Sequence, residues 1–290
     1  MIYIIIPVFN RLSYTKDCLA SLSNQSISNY KIVVVDHGST DGTSEYIKNE
    51  LPEVELITGS SDLWWTGAVN LGLKWVLETA GLNDTVLTLN NDLIVDKNYL
   101  ECLNDMHSNF PKALIGSVSV DIFNPEKISF AGIKWSSVTA KYKSAVNINI
   151  PYSLFREKNE YIVSDLLPGR GTLIPVKAFK DVGIFDEENF PHYAADEDFS
   201  LRCKQAGYSI LVATNACVKS YVNETGLNAD SKTSVKTIIT SLTSIKSKNN
   251  ISKRWYWAKK HSQIPALYMG FYMSRTFFSY VKSLIATNNH

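Results

Sequence analysis

Lys31-Ile32-Val33-Val34-Val35-Asp36-His37-Gly38-Ser39-Thr40-Asp41-Gly42-Thr43 is the stretch on which the fold turns. Its first half is a short, unbroken β-branched run ending in a carboxylate, the pattern of a strand buried on both faces. Its second half is a glycine-flanked turn with helix-cap chemistry, and a helix over Thr43 to Asn49 follows. The same alternation extends in both directions. Upstream, Ile2 to Pro7 is a buried strand stopped by proline, and Asn10 to Asn24 places Leu12, Thr15, Leu19 and Leu22 on one helical face. Downstream, Val54 to Thr58 reads as a strand. Thr66 to Thr79 reads as a helix with Val69, Leu73, Val76 and Leu77 inward. Thr85 to Leu89 is a strand ending at Asn90-Asn91-Asp92. Strand and helix alternate from the start, so the spacing predicts an α/β fold with a Rossmann-like, mostly parallel central sheet flanked by helices.

Beyond residue 110 the pattern weakens. Residues 110–170 mix short strands, aromatics and polar loops without a period. Thr172 to Val176 then reads as a strand, Lys177 to Val182 as a short helix, Asp196 to Ala206 as a helix ended by Gly207, and Tyr208 to Ala213 as a strand. Residues 223–252 are rich in Ser, Thr, Asn and Lys and read as a linker or polar helix. Residues 253–285 read as helix, with Leu267, Phe271, Ser274, Phe278, Val281 and Ile285 recurring at three or four. The expected division is a body over 1–222 and a helical C-terminal extension over 223–290.

Of the 290 residues 45% are hydrophobic and 20% charged, which excludes a disordered or collagen-like chain. Cys18, Cys102, Cys203 and Cys217 are scattered, against a disulfide scaffold or zinc ribbon and in favour of a reducing compartment. No secretory signal and no apolar run of about 20 residues is visible. The net charge of +1 hides an asymmetry: residues 231–290 hold ten basic residues and no acidic one, so the body carries 19 basic against 28 acidic. Such a split points the extension toward an anionic surface.

Three polar clusters follow predicted strands: Pro7-Val8-Phe9-Asn10-Arg11, Asp36 to Asp41, and Asn90-Asn91-Asp92. Ligands of parallel α/β sheets bind beyond the carboxyl ends of strands, so three clusters on one edge favour a site over ordinary loop starts. A carboxylate at a strand tip, Asp92, can hold a hard divalent cation or cap a turn. His192 to Arg202 brings Asp196, Glu197 and Asp198 to a helix start. The helix dipole accounts for one or two acids there. Crowding by like charge would raise a carboxyl and make it a better base. No phosphate loop or dinucleotide fingerprint occurs, and Gly169-Arg170-Gly171 reads as a tight turn.

Taken together, Ile4 to Arg11, Val33 to Thr43, Leu63 to Gly72, Leu89 to Asp92, Gly169 to Ile174 and Ala195 to Arg202 resemble the family-2 glycosyltransferases of GT-A fold, close in flavour to bacterial rhamnosyltransferases and other surface-polysaccharide enzymes. The resemblance spans about three quarters of the chain. It implies an inverting transferase that moves a sugar from a nucleoside-diphosphate donor, dTDP-rhamnose or a UDP-hexose, to a glycan acceptor such as O-antigen or capsule. It implies that Pro7, Phe9, Arg11 and Asp36 hold the donor's base and ribose, and that Asp62, Gly67 and Asn70 continue that wall. Asn91 and Asp92 stand at the family's metal motif, with Asp92 reaching Mn²⁺ or Mg²⁺. Asp196 is the implied base, Asp198 its support, and Arg202 closes the pattern on the donor side. The sequence departs from the family at Asn90 and Asn91, at Ala195, and at Val218-Lys219-Ser220-Tyr221-Val222, which lacks the family's histidine. Lys219 is a candidate to take over part of the charge neutralisation. The rivals are a sugar-phosphate nucleotidyltransferase, which wants a glycine-rich loop after the first strand, and a non-catalytic binding or scaffold protein.

The extension interleaves Lys253, Arg254, Lys259, Lys260, Arg275 and Lys282 with Trp255, Trp257, Tyr268, Phe271 and Phe278. That mixture suits a bilayer interface and a lipid-linked acceptor, or a helix packed on the body or on a second subunit as a homodimer. Nucleic acid is not an expected partner. The expected location is the bacterial cytoplasm, peripheral on the inner face of the membrane.

Overall fold

The computed structural model describes residues 1–221, 235–244, 247 and 249–288. β1 (Ile2–Val8), α1 (Leu12–Ser23), β2 (Tyr30–Asp36), α2 (Thr43–Glu50), β3 (Glu55–Thr58), α3 (Trp64–Thr79) and β4 (Thr85–Thr88) alternate as the spacing predicts. Then come β5 (Leu93–Val95), α4 (Tyr99–Asn109), β6 (Ala113–Asp121), β7 (Asn124–Phe130), β8 (Ile133–Trp135), β9 (Tyr142–Ser144), α5 (Tyr152–Lys158) and β10 (Tyr161–Val163). β11 (Thr172–Pro175), α6 (Val176–Val182), α7 (Ala195–Gln205) and β12 (Ser209–Ser220) complete the body, and α8 (Val235–Thr243), α9 (Ile251–His261) and α10 (Pro265–Asn288) follow.

The large sheet runs β10-β12-β6-β11-β4-β1-β2-β3, with β5 on β12 and β7 on β6. β3, β2, β1 and β4 are parallel, with Ile4 opposite both Ile32 and Leu87. β1 shows why its apolar run is unbroken. Tyr3 and Ile5 pack on one face with Val69 and Leu73 of α3, while Ile2, Ile4, Ile6 and Val8 pack on the other with Leu19 and Leu22 of α1. Alternate side chains point to opposite faces, and a helix covers each face. β11 lies antiparallel between β4 and β6, and β12 returns parallel to β6. Burial patterns carry no strand direction, so the reversal is set by the connections.

The C-terminal region departs from the single helix expected over 253–285. Ser262 to Ile264 separates α9 from α10, and Pro265 opens α10. Proline has no N–H to continue a helix but fits a first helical position. The recurring stripe also faces the other way: Leu267 and Phe271 are each 42% exposed and Phe278 68%, whereas Tyr268, Met269 and Tyr272 are buried. Trp257 and Tyr268 are fully buried and join Phe190, Phe199 and Phe155 in the body's main core. The extension and the body therefore share a core; the expected boundary at 222/223 lies outside the described residues. Among the described residues no helix is long and apolar enough to cross a membrane.

Candidate active site

The loops after β1 and β2 are interlocked at the strand tips. Asn10 N–H donates to Ser39 Oγ (2.7 Å), and Asn10 Oδ1 accepts from Thr40 N–H (2.8 Å). Leu12 N–H at the start of α1 donates to Asp41 Oδ2 (2.8 Å). Asn10 and Arg11 both have positive φ, a costly backbone for residues that carry a Cβ, and this loop pairing holds it in place. Asp36, nearly fully buried, accepts from Gly38 N–H, Ser39 N–H and the Ser44 hydroxyl, so it shapes its own loop. Pro7 does not stop β1 as expected: it is itself buried within the strand, which ends one residue later at the buried Val8. Phe9, 48% exposed, stacks on His37 with centroids 5.3 Å apart. An exposed ring braced from behind is a platform for a planar ligand.

β4 delivers the third cluster. Asn91 Nδ2 donates to Thr15 Oγ1 (2.9 Å), and Asn90 Oδ1 accepts from Trp65 Nε1 (2.9 Å). Asp92 is buried, with the Arg11 guanidinium 3.8 Å away. The loop before β11 closes over this tip: Gly171 N–H donates to Thr88 O (2.8 Å) and Gly169 N–H to Asp196 Oδ2 (2.7 Å). Between the two glycines lies Arg170, half-buried, with Asp92 and Asp196 as the carboxylates nearest its charge. The two glycines predict a tight turn but not the place of the arginine between them. The signal available was an arginine held between two glycines just before a buried strand.

The three acids that open α7 do not crowd one another. Asp196 is held by the Gly169 and Glu197 amides. Its carboxyl is raised by desolvation, which outweighs those amides and the Arg170 charge. Like-charge crowding, the cause expected from the sequence, is not the cause. Glu197 accepts from Tyr142 Oη. Asp198 is fully buried and meets Arg202 Nε (2.8 Å), Lys260 Nζ (2.7 Å) and His261 Nε2 (2.7 Å). Burial alone would raise it, but the His261 and Lys260 hydrogen bonds and the Arg202 charge together hold it down at about 2. Ala194, with φ 73°, turns the chain into α7 so that Asp196 and Asp198 face different surroundings.

Several expected donor contacts are placed elsewhere. Asn70 is fully buried; it donates to Phe185 O and Glu187 Oε2 (both 2.9 Å) and accepts from Phe185 N–H. Arg202 donates to Asp198, Val182 O (2.5 Å) and Ile184 O (2.8 Å). Both side chains pin the 182–187 segment that leads to α7, and neither reaches the strand tips. Gly67 packs under Leu63 and near Glu187, and Asp62 is exposed on the single turn 61–63. Lys219 pairs with Asp96 (2.5 Å), away from Asp92.

Residues 3–183 match the family model described as glycosyl transferase family 2. The chain belongs to glycosyltransferase family 2. In an alignment of 224 positions that covers 72% of each chain, it is 26% identical to the N-acetylglucosaminyl-diphospho-decaprenol L-rhamnosyltransferase of Mycobacterium tuberculosis. Two solved structures share its GT-A fold. The Pyrobaculum calidifontis mannosyltransferase PcManGT, solved with GDP-Man and Mn²⁺, has a TM-score of 0.61 and 14% identity over 99% of this chain and 73% of that one. GalNAc-T7, solved with UDP, GalNAc and Mn²⁺, has a TM-score of 0.61 and 16% identity; the match covers 76% of this chain and only 43% of that longer one.

The metal that the family resemblance implies finds a poor cage here. Mn²⁺ and Mg²⁺ want several oxygen ligands in near-octahedral array. The strand tip offers the Asp92 carboxylate, with a guanidinium 3.8 Å away and two asparagine amides already engaged. Among the described residues no group of three or more His, Cys, Asp or Glu side chains is placed to hold an ion.

Proposed function

We propose that this glycosyltransferase inverts configuration as it moves a sugar from a nucleoside-diphosphate donor, dTDP-rhamnose or a UDP-hexose, to a glycan acceptor of bacterial surface polysaccharide. The observation that carries the reading is Asp196: a carboxyl raised by burial, oriented by two amides, across from the strand tips. The donor's base stacks on Phe9, with Pro7, Arg11 and the Asp36 loop around it, and the diphosphate lies toward Asp92. An acceptor hydroxyl oxygen attacks the anomeric carbon from the opposite side. Its proton passes to Asp196 as the carbon–phosphate oxygen bond breaks and the electron pair leaves on the diphosphate. Asp198 takes no proton and instead anchors α7. The mycobacterial relative, named for a rhamnosyl transfer to a lipid-diphosphate-linked sugar, supports rhamnose and a lipid-linked acceptor. The nucleotidyltransferase reading lacks its glycine-rich loop at Pro7 to Arg11.

The extension supports a peripheral location on an anionic bilayer. Leu267, Phe271 and Phe278 form one exposed stripe along α10, continued by Ile264 just before it and flanked by exposed Arg275 and Lys282. No acidic residue follows Asp230 to oppose an anionic lipid.

The deciding experiment offers UDP-, dTDP- and GDP-sugars with polyprenyl-diphosphate-linked N-acetylglucosamine to wild type and to Asp196→Asn. Wild type should transfer one sugar, while the variant should keep donor-induced thermal stabilisation and lose about 10²–10⁴ in transfer. Equal transfer by the variant removes Asp196 as base. A folded wild type that no nucleotide sugar stabilises would point to the scaffold reading.

A further inference from the structure

We infer that Arg170, together with Arg11, is the cationic cradle for the donor's diphosphate, so that transfer proceeds without a divalent cation; the inference rests on the proposed donor class. The loop that carries Arg170 is fixed on both sides. Gly169 N–H is bonded to Asp196 and Gly171 N–H to the carbonyl of Thr88 at the tip of β4. Thr172 Oγ1 ties back to Pro168 O (2.7 Å). A Cβ at Gly169 would lie 2.2 Å from the Trp65 ring, and Gly171 has a φ of +77°. Neither position accepts another residue without displacement, so the backbone presents Arg170 at one place: between the proposed base and the strand tip.

That place lacks a partner for the guanidinium. Among the described residues Arg170 makes no hydrogen bond and no ion pair within 4 Å, although it is half-buried and its environment opposes its charge by desolvation. Guanidinium does not deprotonate, so its five donors await acceptors. Leaving such donors unmet in a partly dry site is costly, and a diphosphate is the group whose geometry meets them two at a time. Arg11, 47% exposed, lies 3.8 Å from Asp92, the carboxylate whose charge also acts on Arg170. Asp92 and Asp196 bring two negative charges to this space and the two arginines two positive, so the region is balanced before a donor arrives. A diphosphate entering between the arginines would take Arg11 from Asp92 and give Arg170 its first hydrogen-bond acceptors. The electron pair released when the sugar–phosphate bond breaks stays on the phosphate oxygen, and the guanidinium groups stabilise that charge. Fixed cations aimed at developing charge do the work elsewhere assigned to a metal. The asparagines at 90 and 91, which weaken a cation cage, are compatible with this arrangement.

The test measures binding of UDP, dTDP and GDP to the full chain by calorimetry, in EDTA and then in Mn²⁺, followed by sugar transfer under both conditions. Wild type should bind its preferred diphosphate within about twofold with and without metal, and transfer in EDTA should persist. Arg170→Met should weaken binding about 10–100-fold, the size of a lost charged hydrogen-bond pair, and Arg170→Lys should recover part of it. Arg11→Met, at an exposed position, gives a second reading should Arg170→Met fail to fold, and should also weaken binding. Binding and transfer by wild type only with Mn²⁺ would overturn the metal-free cradle while leaving the transferase reading intact. Unchanged affinity in folded Arg170→Met would overturn the role of Arg170. Absence of binding under every condition would remove the donor class itself, and the inference with it.

Discussion

Asp196 and Asp198 lie two residues apart on α7, yet their surroundings drive their carboxyls in opposite directions. Asp196 is raised above the usual carboxylate range by burial, and as a base it must be ionised. The rate of transfer should therefore fall as pH drops through a value above 3.8, and the acid limb of a pH profile of kcat/KM reads that value. Asp198 sits near 2 when folded, below the roughly 3.9 of an unfolded aspartate. Its contribution to stability is thus fully present above about pH 4 and is lost as pH falls from there toward 2. The shift corresponds to about 2–3 kcal/mol, to be taken as an order of magnitude for a buried, multiply paired group. Acid unfolding followed by circular dichroism should show Asp198→Asn less stable at neutral pH and less sensitive between pH 4 and 2. Chain spacing places three acids on a helix start. It does not tell which meets two backbone amides and which meets Arg202, Lys260 and His261.

At the scale of elements, α9 is a support of the site rather than an appendage. It carries Lys260 and His261 to Asp198, and Trp257 into the core beside Phe190. Trp257→Ala should cost about 3–5 kcal/mol, measured by urea unfolding. Lys260→Met should leave donor binding in place and lower transfer, because it loosens the start of α7; unchanged transfer would restrict Lys260 to stability. The body's first half was legible because each buried strand and its helix declare themselves within a few residues, from Ile2 to Asn91. β11 was legible as a strand but not as an antiparallel one, since Thr172 to Pro175 is buried on both faces and reads alike in either direction. The stripe through Leu267, Phe271 and Phe278 had the right period and the wrong face: period fixes which residues share a side, and packing decides which side is covered.

For the whole molecule, an acidic body has drawn part of a basic extension onto itself. Lys260, His261 and Arg254 turn toward Asp198, Asp186 and Tyr142, while Lys259, Arg275 and Lys282 remain exposed. The exposed cations and the α10 stripe predict binding to vesicles containing anionic lipid and little to neutral ones, weakening as salt rises. Phe271→Ser with Phe278→Ser should abolish that binding without lowering the melting temperature; retained binding would return the stripe to a contact between copies of this chain. The sequence by itself determined the α/β alternation, the three polar strand tips and the family, because period, capping and motif order are properties of neighbouring residues. Only the tertiary structure decided that Asn70 and Arg202 hold a loop, that the Arg170 loop is tied to Asp196 and to the tip of β4, and that the extension braces α7 through Asp198. Asn70 reaches Phe185 over 115 residues of chain, His261 reaches Asp198 over 63 and Arg202 reaches Ile184 over 18, and the pattern of neighbouring residues records none of these meetings.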